Sequence, residues 1–221
     1  LVSDQTNASL AGNQGFLFDK NNFIQMRNFT MTNCRSSCID CEDNHPTYLD
    51  ASGNTLDDTD ETLAAPNWTN HLVLSGMTFQ NLYGNGQGVN VAFLRVLSNR
   101  WLTMRNCSFS KAGKVDNEWL VGGTAPTGAT GAIITFARWG FLMENCTVDQ
   151  CASAVYLKES QTGNPTFGYD FVGRYNIFTT NYSILTVKCQ AYRGPHASKV
   201  YSNVFRDYFL GIGYEMGLKH R

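Results

Sequence analysis

The amino-acid sequence predicts an all-β chain that folds as a right-handed parallel β-helix, a solenoid in which short strands stack coil upon coil. Three observations predict this fold. A short strand pattern recurs along the chain, a second apolar pattern follows it in the same order, and Asn or Gly interrupts the copies. Apolar residues at helical spacing are nearly absent, so we expect strands rather than helices.

The first repeated pattern is a strand with one buried face, because its apolar residues recur with a period of two. It is clearest at residues 26–31, 104–109 and 143–148, with looser copies at 74–79 and before Phe178 and Phe205. The Asn or Gly in each copy predicts a bend, where an Asn side chain can bond its own backbone.

The second pattern follows about ten residues later and consists of two apolar residues with one residue between them. The predicted pairs are Phe16/Phe18, Ile39/Cys41, Val91/Phe93, Ile134/Phe136, Val155/Leu157, Leu185/Val187 and Ile212/Tyr214. Coils of twenty-odd residues follow from this spacing, which predicts about seven coils in a single domain over residues 1–221.

Two longer steps between the pairs predict loop insertions at about 43–70 and 111–131. An antiparallel β-sandwich is the alternative fold, since it too contains many short strands.

Composition narrows the class of protein. Of the 221 residues, 43% are hydrophobic and 16% are charged, which indicates a folded chain, and the net charge of -1 argues against a general nucleic-acid binder. No apolar run is long enough to span a membrane. We expect the sequence to be part of a longer protein. Because neither end shows a capping helix, we also expect continuation of the chain or a homotrimer.

The coil pattern resembles the right-handed β-helix superfamily of pectate-lyase-like proteins, which includes polysaccharide lyases, glycoside hydrolases and phage tailspikes. The resemblance covers nearly the whole chain and implies the fold more strongly than any one activity. One stretch, Lys188 after its strand and Asn203 with Phe205 in the next coil, resembles the chondroitinase-B and alginate-lyase group. That resemblance implies Lys188 as the catalytic base. The calcium ligands and the arginine of that group are not matched.

Side chains at one coil position form columns on the surface of a solenoid, and two neighbouring predicted columns contain a basic stripe. Its members are Arg95, Arg138, Lys158 and Lys188, with Glu159 and Glu215 among them. Such a stripe suits an anionic sugar polymer. A lysine beside a second lysine can also act as a base, because the neighbouring charge lowers its pKa. The alternative is that these residues are ordinary solvated strand ends.

Paired carboxylates are the second candidate chemistry. Glycoside hydrolysis needs two carboxyl groups roughly 5–9.5 Å apart, and stacked coil positions are about 4.8 Å apart. Glu159 with Asp116 or Glu118 is the preferred set, because the last two lie on the 111–131 insertion. Asp149 and Asp207 form a second set on another face. Each of these carboxylates is otherwise a solvated surface residue.

Aromatic residues can stack on sugar rings, and four are candidates: Trp101, Trp119, Trp139 and Tyr156. Trp119 and Tyr156 lie beside the predicted stripe, so we assign them to substrate binding. Trp101 and Trp139 directly precede strands and can equally pack between coils.

The 43–70 insertion is acidic and has oxygen ligands at spacings similar to those of a calcium loop. The candidate ligands are Asp50, Ser52, Asn54, Asp58 and Glu61. Thr55 stands where such a loop needs glycine, so a solvated loop is the alternative. No other cofactor is indicated.

The cysteines suggest a metal site by spacing and a core role by register. Cys34, Cys38 and Cys41 have iron–sulfur or zinc spacing. In the coil alignment, however, Cys41 and Cys34 fall at interior positions, and Cys107 and Cys146 share one interior column. Because free cysteine behaves as a small hydrophobe, we predict core positions.

Together these features predict an extracellular or virion-surface β-helix that binds and cleaves a polysaccharide, by hydrolysis or by β-elimination. The alternative is a non-catalytic structural or adhesive segment of a fibre or surface protein.

Overall fold

The computed structural model describes residues 15–18, 23–34, 37–41, 69–82, 91–96, 99–112, 130–135, 139–158, 171–181, 183–189, 199–208 and 210–216. All regular elements in these ranges are β-strands, which form three sheets. Within the same ranges, no helix is long and apolar enough to cross a membrane.

Each sheet contains every third strand of the chain. Sheet I contains β1 Phe16–Phe18, β4 Ile39–Cys41, β7 Val91–Val96, β10 Thr130–Thr135, β13 Ser153–Lys158, β16 Ser183–Cys189 and β19 Leu210–Met216. Sheet II contains β2 Gln25–Arg27, β5 Thr69–Ser75, β8 Asn99–Arg105, β11 Trp139–Glu144, β14 Phe171–Arg174 and β17 Lys199–Tyr201. Sheet III contains β3 Thr30–Cys34, β6 Thr78–Leu82, β9 Ser108–Ala112, β12 Thr147–Cys151, β15 Ile177–Thr179 and β18 Val204–Arg206.

Every strand pair among these elements is parallel. The chain passes through sheets I, II and III in turn and then returns beside the strand it left. This is the arrangement of a parallel β-helix, so the antiparallel sandwich is wrong for the described strands. The predicted insertions lie mostly outside the described residues. They stay predictions, and at their margins residues 69–70, 111–112 and 130–131 belong to strands.

The core is built from inward columns of aligned apolar side chains. The column in sheet II runs Met26, Leu74, Met104 and Met143, and the column in sheet III runs Met31, Phe79, Phe109, Val148 and Phe178. All of these side chains are buried. The rings of Phe79 and Phe109 stack with centroids 4.9 Å apart. Apolar burial along these columns is the main source of stability.

Left-handed backbone residues mark the bends between the sheets. Asn28, Gly76, Asn106 and Asn145 occupy one aligned corner between sheets II and III, with φ between 53° and 62°. Asn and Gly adopt this conformation at lower cost than other residues. The prediction that Asn or Gly bends each copy of the first pattern is confirmed in these four coils and wrong in the last two, where Tyr175 and Ser202 occupy the corner and Asn176 and Asn203 follow it.

The second repeated pattern was aligned wrongly in two coils. Leu94 and Val96 lie opposite Ile39 and Cys41, three residues beyond the predicted pair Val91/Phe93. Ile133 and Thr135 lie opposite Val155 and Leu157, one residue before the predicted pair Ile134/Phe136. The reason is that β7 and β10 contain consecutive buried apolar residues, so their alternation does not identify the inward positions.

The six cysteines whose side chains the structure describes are core residues, and two of them are joined covalently. Cys41, Cys107, Cys146 and Cys151 are free and buried. Cys34 and Cys38 form a disulfide, which the sequence interpretation missed. The described residues contain no group of three or more potential metal ligands.

Candidate functional site on the outward faces of sheets I and II

The strand register brings the predicted lysines together on sheet I. Lys158 of β13 pairs with Lys188 of β16, and Lys188 pairs with Glu215 of β19. Aligned residues on neighbouring strands are separated by about 4.8 Å. Two lysines and one glutamate therefore occupy successive positions of a single column.

Tyr156 lies two residues before Lys158, opposite Thr186. It is half-buried, whereas Val155 and Leu157 on either side of it are buried. This alternation places Tyr156 on the outward face of sheet I. Lys158 stands two residues after Tyr156 on β13, and Lys188 and Glu215 are its register partners on the next two strands.

Arg95 does not belong to that column, which corrects the predicted stripe. It pairs with Asp40 on one side and Ile134 on the other, in the column of Tyr156. Its Nε donates to Asp40 Oδ2 at 2.8 Å and its terminal NH2 at 2.5 Å. The Asp40 side chain is only 1% exposed, so the guanidinium of Arg95 compensates a buried carboxylate. The error follows from the three-residue misalignment of β7.

The other predicted site residues lie outside the described residues. These are Glu159, Asp116, Glu118, Arg138 and Trp119, together with the calcium candidates Asp50, Asn54, Asp58 and Glu61. Their roles stay predictions.

The second carboxylate set is separated along sheet III. Asp149 pairs with Thr179, which pairs with Arg206, and Asp207 follows Arg206 at the corner. The two interstrand steps from Asp149 to Arg206 correspond to about 9.6 Å, and Asp207 lies one residue outside that column, so the strand register does not place this pair within the range for a hydrolase. Partial burial raises the pKa of Asp149.

A charged ladder on sheet II was missed by the sequence interpretation. Arg105, Glu144, Arg174 and Tyr201 are aligned on successive strands. Glu144 lies between two cations: Arg174 Nε donates to its Oε2 at 2.5 Å, and Arg105 Nε is 3.5 Å from its Oε1. Arg174 also donates to the Tyr201 hydroxyl at 3.2 Å. Its guanidinium carbon is 5.9 Å from the centroid of the Tyr175 ring.

An aromatic ladder lies at the corner that leads into sheet II. Phe23 stacks on His71 with centroids 4.7 Å apart, and His71 stacks on Trp101 at 6.3 Å. Phe23 is 75% exposed and Trp101 is 49% exposed. The next aligned residue is Gly140, where an added Cβ would collide with the Trp101 ring. The ladder therefore presents aromatic surface to solvent.

A sequence signal for this ladder existed. Phe23, His71 and Trp101 each stand three residues before the aligned inward residues Met26, Leu74 and Met104. Extending the alignment of the first pattern upstream would have placed all three in one column. Trp101 was instead considered alone.

The chain matches no protein-family model, no curated protein and no solved structure. Function is therefore inferred from the aligned columns and their chemistry.

Proposed function

We propose that this chain is a right-handed, pectate-lyase-like β-helix of about seven coils that binds and cleaves an acidic polysaccharide outside the cell or on a virion surface. The observation that carries this proposal is the register of Lys158, Lys188 and Glu215 on three successive strands, two residues after the outward Tyr156 on β13. The Cys34–Cys38 disulfide supports an oxidising location.

The paired lysines favour β-elimination over hydrolysis. Two ammonium groups on neighbouring strands repel each other, so one of them loses its proton at a lower pH. Lys188 is the proposed base that takes the proton next to a uronate carboxylate. The electron pair of the broken C–H bond forms a C=C bond, the glycosidic C–O bond breaks, and the leaving oxygen is protonated. Lys158 would pair with the carboxylate and stabilise the developing charge.

Tyr156 and Glu215 have binding roles in this proposal. The Tyr156 ring offers a stacking surface for a sugar, and its hydroxyl offers a hydrogen bond. Glu215 would accept hydrogen bonds from sugar hydroxyls. Arg95 contributes to the face mainly by fixing Asp40.

Hydrolysis through Glu159 with Asp116 or Glu118 is the alternative chemistry, and a calcium ion at 50–61 and a homotrimer remain part of the proposal.

The experiment is incubation of the protein with polygalacturonate, alginate, chondroitin sulfate and a neutral glucan. Absorbance at about 235 nm measures the unsaturated product of a lyase, and reducing ends without that absorbance indicate a hydrolase. We expect the lyase product from an acidic polymer. We also expect its rate to fall at least about a hundredfold in Lys188→Ala, within the range of a lost general base, and by a smaller factor in Lys158→Ala.

Arg206→Ala is the matched control, because it removes one exposed cation from sheet III. Its rate should stay within twofold of the parent. Equal rates in Lys188→Ala and Arg206→Ala would remove the proposed site. Absence of cleavage on every polymer would favour the non-catalytic fibre or adhesin segment.

A further inference from the structure

The outward side of sheet II combines two features that no step of the proposed cleavage uses. One is the aromatic ladder of Phe23, His71 and Trp101, and the other is the charged ladder of Arg105, Glu144, Arg174 and Tyr201. We call the two ladders together the sheet II face. Because sheets I and II are different sides of the stack, this face is separate from the lysine column.

The aromatic ladder has the form of a stacking platform. Its rings are in mutual contact, and Trp101 lies against Gly140, so their orientations are fixed before any ligand arrives. A pre-organised ring loses little conformational entropy on binding, which favours affinity. Exposed aromatic surface that is contiguous, rather than scattered as single side chains, commonly marks a binding site.

The charge of this face differs from that of the whole molecule. The described outward positions in the strands of sheet II include Arg105 and Arg174 of the charged ladder and also Arg27 and Lys199. Glu144 is the only acid among these described positions. The chain as a whole has a net charge of -1. Basic charge is therefore concentrated on the sheet II face, which complements an anionic ligand.

The guanidinium groups remain accessible despite their contacts. The Arg105 side chain is 52% exposed and that of Arg174 is 34% exposed, whereas that of Glu144 is 16% exposed. Glu144 is thus the most buried of the three side chains, and its ion pairs orient both arginines. Tyr175 and Tyr201, which are 54% and 42% exposed, add aromatic surface beside Arg174.

We propose that the sheet II face is a non-catalytic binding surface for a chain of anionic sugars, which lies along the stack with its rings on the aromatic ladder and its carboxylates on Arg105 and Arg174. The aromatic ladder ends and the charged ladder begins at β8, so a sugar chain that follows the stack can place the ring faces of its first sugars on one ladder and the carboxylates of later sugars on the other. A nucleic acid has a denser line of charge, against which the central Glu144 would be unfavourable. This inference does not depend on cleavage at sheet I.

The test is titration of the full chain carrying Lys188→Ala, which removes the proposed cleavage, with polygalacturonate by calorimetry at low ionic strength, and with fully methyl-esterified polygalacturonate as the neutral probe. Two variants remove the two ladders separately: Arg105→Ala/Arg174→Ala and Trp101→Ala. We expect the double variant to bind polygalacturonate at least about tenfold more weakly, as loss of charge-assisted hydrogen bonds predicts. We expect Trp101→Ala to bind both probes about fivefold more weakly, since stacking does not need charge. Added salt should weaken only the binding of polygalacturonate.

Two matched controls lie outside this face. Arg206→Ala removes an exposed cation from sheet III, and Tyr208→Ala removes an aromatic ring that is 48% exposed beyond β18. Both should bind within twofold of the parent. Arg105→Ala alone keeps the Arg174–Glu144 pair and provides the charge test if the double variant does not fold.

Affinity that stays within twofold in both ladder variants would overturn the proposal, as would preferential binding of a single-stranded oligonucleotide over polygalacturonate. Failure here is distinguishable from failure of the cleavage proposal. Lys188→Ala should lose cleavage and keep calorimetric binding, and loss of that binding in Arg105→Ala/Arg174→Ala is measured without any cleavage rate.

Discussion

Buried side chains at single positions determine how the coils stack. Asn176 accepts a hydrogen bond from the Cys146 backbone N–H at 2.8 Å and donates one to the Met143 carbonyl at 3.0 Å. It therefore bonds backbone groups of the preceding coil from inside the stack. One coil earlier, Cys146 fills the aligned interior position. The same position thus holds either a polar bridge or a small apolar thiol.

Cys151 provides a prediction at the residue scale. It is fully buried, and burial raises the pKa of its thiol to about 12. A thiol with a raised pKa in the folded state stabilises the fold fully below its unfolded pKa. That contribution is lost as the pH rises towards the folded value. We expect the free energy of unfolding to decline between about pH 9 and 12, and more steeply in the parent than in Cys151→Ala.

Urea denaturation of both proteins at pH 8 and pH 11 measures this difference. Cys151→Ala should be the less stable protein at pH 8, because it leaves a small cavity. The gap should close by at least about 1 kcal/mol at pH 11. A gap that is unchanged between the two pH values would show that the Cys151 thiol does not titrate as described.

Residue identity alone predicted part of this chemistry. The Asn residues at repeated positions were expected at bends, and Asn28, Asn106 and Asn145 lie there with positive φ. The core placement of Cys107 and Cys146 was also expected. The Cys34–Cys38 disulfide was not, because spacing along the chain does not reveal that the two Cα atoms lie 5.9 Å apart.

At the scale of the element, β4 and β7 are joined by the ion pair of Asp40 and Arg95. Removing one partner of a buried pair leaves a buried charge without its counterion and costs about 3–5 kcal/mol. We expect Arg95→Met to destabilise the fold by about that amount. Asp40→Leu/Arg95→Met should recover most of the loss, because two apolar side chains replace two charges.

Chemical denaturation of the two single variants and the double variant gives this coupling energy directly. Arg206→Ala is again the control, since loss of an exposed cation should change stability by less than about 0.5 kcal/mol. If Arg95→Met were as stable as Arg206→Ala, Arg95 would be available for a substrate rather than committed to Asp40.

Element register also explains which candidate sites could be predicted. β13 and β16 alternate clearly around Tyr156 and Lys188, so the Lys158–Lys188–Glu215 column was predicted and is confirmed as a register. β7 has apolar side chains at successive positions, so Arg95 was assigned to the wrong column. A site formed by side chains of one column can be predicted only when the register of its strands is known. A strand with apolar residues at successive positions does not reveal that register from its sequence.

At the scale of the whole molecule, the parallel topology was predicted from the order of the two repeated patterns rather than from composition. Two patterns that recur in the same sequence imply that the chain travels the same way in each coil. The aromatic ladder shows the limit of this reasoning. Phe23, His71 and Trp101 have different chemistry, so no residue type repeats to mark the column, and it emerges from the sequence only when the first pattern is extended three residues upstream.

Both proposed surfaces depend on the stacking of every third strand at one interstrand spacing, and a pair of distance measurements tests this most directly. Spin labels at Thr30 and Val204 span five steps of sheet III, and labels at Thr78 and Val204 span four. Pulsed electron–electron double resonance should give distances near 24 Å and 19 Å, a difference of about 4.8 Å. Equal distances, or a longer distance from Thr78, would contradict the stack and with it both surfaces.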